Sequence, residues 1–177
     1  STPLPAFATC PPAPEPIIGL SFESRYEAED PTRSKIDAEA EAAAKEALAA
    51  LDDFIADLTD LTDVAVEAED NYSAACVMEM MAAWAEADAL SQLGTDTVKL
   101  TIGSRIAAFA LVAVQVAPAS DAAQTAVVAS WLTQRMDDQM TFWETAPSGA
   151  ASGNLRAWAA LAAASVALLT EDTETQN

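Results

Sequence analysis

Two short stretches carry residues whose types and spacing could do chemistry. In the first, Arg25, Arg33 and Lys35 lie close together, with Tyr26 beside Arg25. Arginine forks recognise carboxylates, and a tyrosine next to them can carry a proton or stack on a sugar ring. The plain structural account is salt bridging to Glu23, Glu27, Glu29 and Asp30. The second stretch is Gly153-Asn154-Leu155-Arg156-Ala157-Trp158, at the start of a helical pattern. Backbone N–H groups at a helix N-terminus favour anions. Asn154 is accounted for as a helix cap, but Arg156 opposes the helix dipole there, which points to another job. Asp88, on or near an apolar face beside Trp84, is a lone carboxylate suited to hydrogen-bonding a helix end.

Composition limits what these residues can do. The chain has 177 residues, 28 acidic and eight basic, no histidine and a net charge of −20. Without histidine there is no His-based zinc site, no Ser-His-Asp triad and no imidazole base. The sequence also lacks a P-loop, a GxGxxG fingerprint and a CxxC pair, so no cofactor or metal is expected. An acid excess of this size argues against nucleic acid as a partner. The apolar runs at 106–119 and 157–169 fall short of the ~18 to 20 residues that span a bilayer, so no membrane segment is expected. The 51% hydrophobic content argues for a packed core over disorder.

Helical periodicity supplies the elements that must position the two stretches. Residues 3–16 are proline-rich and should be extended. A first helix should begin near Thr32 or Ser34 and carry Ile36, Ala40, Ala44, Leu48, Leu51, Ile55 and Leu58 on one face. Asp70 or Asn71 should cap a second helix that runs to about Leu93 and stops at Gly94. A third spans about Asp96 to Val116, before Pro118. Ser120 or Asp121 caps a fourth, with Val128, Trp131, Leu132, Met136, Met140 and Trp143 on one face. A fifth begins near Asn154 and fades after Leu169. No strand-like alternation occurs. The expected fold is all-α, antiparallel helical hairpins forming a bundle, a solenoid or part of an (α/α) toroid. The expected division is a leader and candidate lid at 1–33, a helical domain at 34–170 and a polar tail at 171–177. Cys10 and Cys76 permit one disulfide without demanding it; Cys10, in the proline-rich leader, favours a bridge that ties the leader down.

The ordered set of motifs resembles the mannuronate-specific alginate lyases. It comprises Cys10, Pro14-Glu15-Pro16, the segment Phe22-Glu23-Ser24-Arg25-Tyr26-Glu27 with Asp30 and Arg33, and Cys76 followed by Trp84-Ala85-Glu86-Ala87-Asp88-Ala89-Leu90. Lys99, Gly103-Ser104, Trp131, Trp143 and Asn154-Leu155-Arg156-Ala157-Trp158 complete it. The likeness corresponds to the N-terminal half of the family's length. Asn154 matches an asparagine of the family's Asn-Asn-His-Ser-Tyr-Trp motif, Leu155 stands at the histidine, Arg156 at the serine and Trp158 at the tryptophan.

The resemblance implies an incomplete (α/α) toroid and β-elimination on alginate or a related uronate polymer, in the periplasm or outside the cell. It implies catalytic roles for Tyr26, Asn154 and Arg156, and substrate binding by Arg25, Arg33 and Trp158. It also implies a Cys10–Cys76 disulfide. The partner would be an anionic polysaccharide, met by local arginines inside an acidic shell. The alternative is a non-catalytic module of the same ancestry that binds an oligosaccharide or a partner.

Overall fold

The computed structural model describes residues 9–25, 32, 35–146 and 154–175, with the side chains of 154–156 and 172–175 outside that description. Helices dominate, as periodicity predicts: α1 Ala38–Glu67, α2 Asn71–Glu86, α3 Asp96–Thr101, α4 Gly103–Val116, α5 Ala122–Thr145 and α6 Asn154–Thr175. The remaining regular elements are a turn of 3₁₀ helix, Ala117–Ala119, and two short strands, β1 Gly19–Leu20 and β2 Gln92–Leu93.

The core forms around α4, which packs on α1, α2, α5 and α6. Its composition permits this, because Ile106, Ala107, Phe109, Ala110, Val112, Ala113 and Val116 are all buried. Four aromatic rings from four helices meet there. Phe54 lies 4.5 Å from Trp84, Phe109 lies 5.9 and 6.0 Å from those two, and Trp131 lies 5.3 Å from Phe109. Tilted and edge-on pairs of this kind match the ring quadrupoles as well as burying area.

Several helix boundaries differ from the sequence expectation, each for a local reason. α1 begins at Ala38, later than Thr32 or Ser34, because the Asp37 carboxylate accepts from the N–H groups of Glu39 and Ala40. Ile36 therefore precedes the helix and stays exposed, while Phe54, Thr62 and Ala65 join Leu51 and Leu58 on the buried face. Asp70, one of the two expected residues, caps α2. That helix ends at Glu86, short of Gly94, through a turn in which Asp88 and Leu90 adopt φ of 55° and 61°.

The leader explains this early stop. The N–H groups of Leu90, Gln92 and Gly94 donate to the carbonyls of Ile17, Ile18 and Leu20, at 2.8, 3.1 and 2.9 Å. The parallel ladder replaces the bonds that a continued helix would have made. The leader is also fastened by the Cys10–Cys76 disulfide and by the Trp84 indole N–H donating to the Pro14 carbonyl. A strand pair of two residues each carries no alternating pattern in the sequence, and the all-α class stands.

The expected third helix is interrupted at Ile102 into α3 and α4. The interruption lies where α6 crosses: a Cβ on Gly103 would lie 3.3 Å from the Ala159 nitrogen. Asp121 caps α5, as one of the two expected residues. The buried face of α5 includes Arg135 and Gln139, whereas Met140 is exposed and Trp143 half-buried. α6 starts at Asn154 and continues to Thr175, past the apolar pattern that fades at Leu169.

Candidate functional site

A cleft of about 980 Å³ opens between the end of the leader, one face of α1 and the α3–α4 junction. Its leader wall is residues 22–25. Thr95 donates its hydroxyl to the Phe22 carbonyl at 2.7 Å, and the Phe22 side chain is buried. Gly94 permits this approach, since a Cβ there would lie 3.0 Å from the Ser21 hydroxyl oxygen. At the other end of the wall the Arg25 carbonyl accepts from Asp37 N–H at 2.8 Å, so the cap residue of α1 also fixes Arg25.

On α1, Glu41, Lys45, Leu48 and Asp52 face the cleft, spaced so that they share one side of the helix. Thr97, Leu100, Thr101 and Arg105 complete the lining from α3 and α4. Three of the chain's eight cations therefore stand around one cleft: Arg25, Lys45 and Arg105.

Two of these cations have carboxylate neighbours. Arg25 Nη1 lies 3.9 Å from Glu41 Oε1, and both side chains are well exposed, so this pair contributes little to stability. Arg105 is gripped more firmly. Its Nε and Nη2 donate to the two carboxylate oxygens of Asp52, each at 2.9 Å, in a bidentate fork. The chemistry available is recognition of anions in a partly enclosed, mixed-charge groove.

The other expected site residues distribute as follows. Arg25 lines the cleft. Tyr26 and Arg33 lie outside the described residues. Asn154 and Arg156 fall in the first turn of α6, with their side chains outside the description. Trp158 is half-exposed on the same helix and is not among the residues described as lining the cleft. Its backbone abuts Gly103, with the Trp158 carbonyl carbon 3.6 Å from where a Gly103 Cβ would be.

Asp88 differs from its expected place on an apolar face. It projects from the left-handed turn after α2, about half-exposed, and accepts from Arg135 Nη1 at 2.9 Å. Among the described residues, one group of donors is close enough to hold a metal ion, Cys10, Cys76 and Glu79, and its two sulfurs are bonded to each other.

Lys45, Asp52 and Arg105 escaped the sequence reading. A signal for two of them exists: Lys45 is the one cation of α1, and Arg105 is the one charged residue of α4. For Arg105 that lone charge in an apolar helix coincides with a specific partner, Asp52.

A search among curated proteins finds no match to this chain. The family model described as alginate lyase matches residues 21–177, which include the leader wall, every helix and the Asn154–Trp158 segment. With most of its length covered in this way, the chain belongs to the alginate lyase family.

Proposed function

We propose that this protein acts on a mannuronate-containing or related uronate polysaccharide, cleaving it by β-elimination. The observation that carries this reading is the family match across residues 21–177, joined to a cleft that gathers Arg25, Lys45 and Arg105 in a chain of net charge −20. In the proposed reaction a base removes the C5 proton of a uronate, electrons form the C4–C5 double bond, and the C4–O4 bond breaks with protonation of the departing oxygen. Neutralising the C5 carboxylate lowers the cost of the charge that builds up in the transition state. Asn154 and Arg156 are assigned that neutralisation, and Tyr26 the proton transfers. Arg25, Arg33 and Trp158 are assigned to holding the sugar chain. Arg156 is permanently charged, so it can stabilise an anion but not act as the base.

The fold we assign to the helical hairpins is the family's incomplete (α/α) toroid, with residues 1–33 as leader and lid and the helical domain following. The Cys10–Cys76 bridge supports placement in an oxidising compartment, the periplasm or the cell exterior. No helix among the described residues is long and apolar enough to cross a membrane.

A second reading is favoured by one specific residue. Leu155 stands at the motif's histidine, and the chain has no other histidine to replace it. On that reading the cleft binds an oligosaccharide without cleaving it. Incubation with polymannuronate, followed by ultraviolet absorbance of the unsaturated ends, separates the two. Rising absorbance is the expected result. A flat trace with measurable heat of binding would leave the binding module, and a flat trace with no binding would dismiss both.

A further inference from the structure

We propose that Arg105, held by Asp52, is a carboxylate anchor of the cleft, and that its ligand is an oligouronate lying along α1. This deepens the uronate reading above and rests on it.

Arg105 is the one charged residue of α4, the helix at the centre of the core. Its side chain is 23% exposed, and Arg105 is among the residues that line the cleft. Asp52 occupies the Nε–Nη2 edge of the guanidinium. A guanidinium carries five N–H donors in a rigid fork. The edge that includes Nη1 takes part in no hydrogen bond among the described residues. An arginine pinned on one edge presents the other in a fixed orientation, which reduces the ordering cost when a carboxylate arrives.

The positions along α1 argue for an oligomer over a single sugar. Glu41, beside Arg25, and Asp52, beside Arg105, are separated by about 16 Å of helix at ~1.5 Å per residue, with Lys45 between them on the same face. Three cations over such a span exceed what one uronate carboxylate can use. A polymer bearing a carboxylate on each ring matches a row of cations. Glu41 and Asp52 add the converse: a carboxylate out of register meets a like charge, so the row selects position as well as charge.

The test measures binding of mannuronate monomer, short oligomers and a neutral oligosaccharide of matched length, by calorimetry, with turnover followed in parallel. Affinity is expected to climb with the number of uronates, and the neutral sugar to bind weakly. Arg105→Gln should raise the oligomer Kd by about 10- to 100-fold, as loss of a charged hydrogen bond implies. Arg105→Lys should recover part of that loss, since lysine restores the charge but not the fork. In turnover the effect should fall on KM; a fold defect would instead lower the active fraction and hence kcat. Asp52→Asn should weaken binding by less than Arg105→Gln, with Asp52→Glu restoring part of it.

If the wild type binds oligomers and Arg105→Gln binds them equally well, the anchor is wrong and the uronate reading stands. Monomer binding as tight as that of oligomers overturns the row. A wild type that neither binds nor cleaves removes the uronate reading and the anchor together. Should Arg105→Gln fail to fold, Arg105→Lys and the oligomer series on the wild type still decide.

Discussion

Arg135 of α5 donates through Nη1 to both the Asp88 carboxylate, at 2.9 Å, and the Ala89 carbonyl, at 3.3 Å. The same carbonyl accepts from the Trp131 indole at 2.8 Å. The left-handed turn that ends α2 is thereby clamped onto α5. Arg135 is buried and Asp88 is not, so the two ends of the pair should respond differently to mutation. Arg135 Nε lies 3.3 Å from Asp138 but is not aligned to bond it, which leaves Nη1 as the main attachment. Arg135→Ala should lower unfolding free energy by about 2–3 kcal/mol, through lost packing and an unpartnered turn. Asp88→Ala should cost about 1 kcal/mol or less, because its exposed side is screened by solvent. Equal effects in denaturant unfolding would contradict the clamp.

The contact between Gly103 and Ala159 leads to a second expectation. Gly103→Ala gains helix propensity of ~1 kcal/mol against a tight backbone neighbour, so its net effect should be small. Gly103→Val should cost about 1–3 kcal/mol by overpacking. Because the contact lies in the first turns of α6, the valine variant should also lose more turnover on polymannuronate than its melting temperature accounts for. Full activity in a folded Gly103→Val protein would show that the position of α6 relative to α4 is unimportant.

Reduction of the Cys10–Cys76 disulfide, which joins residues 66 apart, should destabilise the fold by about 2–4 kcal/mol. It should also loosen the leader wall of the cleft, since the bridge fastens the segment that continues into residues 22–25. Melting curves with and without reductant test the first point. Oligouronate affinity of a Cys10→Ser, Cys76→Ser variant tests the second, with unchanged affinity as the contrary result.

Acid should weaken the start of α2. The Asp70 carboxyl is held below its ordinary value of 3.8, first by the Ser73 hydroxyl and then by the Ser73 backbone N–H, with Tyr72 N–H adding a smaller effect. A carboxyl with a depressed folded pKa contributes stability that is present above its unfolded pKa and lost as pH falls through the folded one. The loss therefore falls below pH 3.8. Asp70→Asn keeps the cap geometry but cannot titrate, so its stability should fall less steeply than the wild type's in that window. Parallel acid limbs in the two proteins would remove Asp70 as a contributor.

Salt should stabilise the protein and raise its turnover. Between Lys45 and Lys99 there is no basic residue, and Asp53, Asp57, Asp60, Asp63 and Glu67 are exposed along α1 at helical spacing. Like charges at such spacing oppose one another by a few tenths of a kcal/mol per pair. Screening shortens their reach from ~30 Å at 0.01 M to ~3 Å at 1 M. The melting temperature should rise across that range, and polymer cleavage should rise toward seawater-like salt as long-range repulsion fades. Flat or falling values of both would mean that local ion pairs outweigh the acidic shell.

The sequence by itself determined the helical class, narrowed two caps to neighbouring pairs, Asp70 or Asn71 and Ser120 or Asp121, placed the start of α6 near Asn154 and held the lyase-like order of motifs. These follow from periodicity and from side chains that bond their own neighbours, both of which are local. Tertiary structure alone decided where α2 stops, where α3 gives way to α4 and which cations share a cleft. Leu90, Gln92 and Gly94 bond a leader some 70 residues earlier in the chain, a separation like the 70 between Trp84 and Pro14, and Gly103 yields to a crossing helix. Arg105 reads in sequence as one charge in an apolar helix. Its pairing with Asp52 spans 53 residues, and no local pattern encodes a contact at that distance.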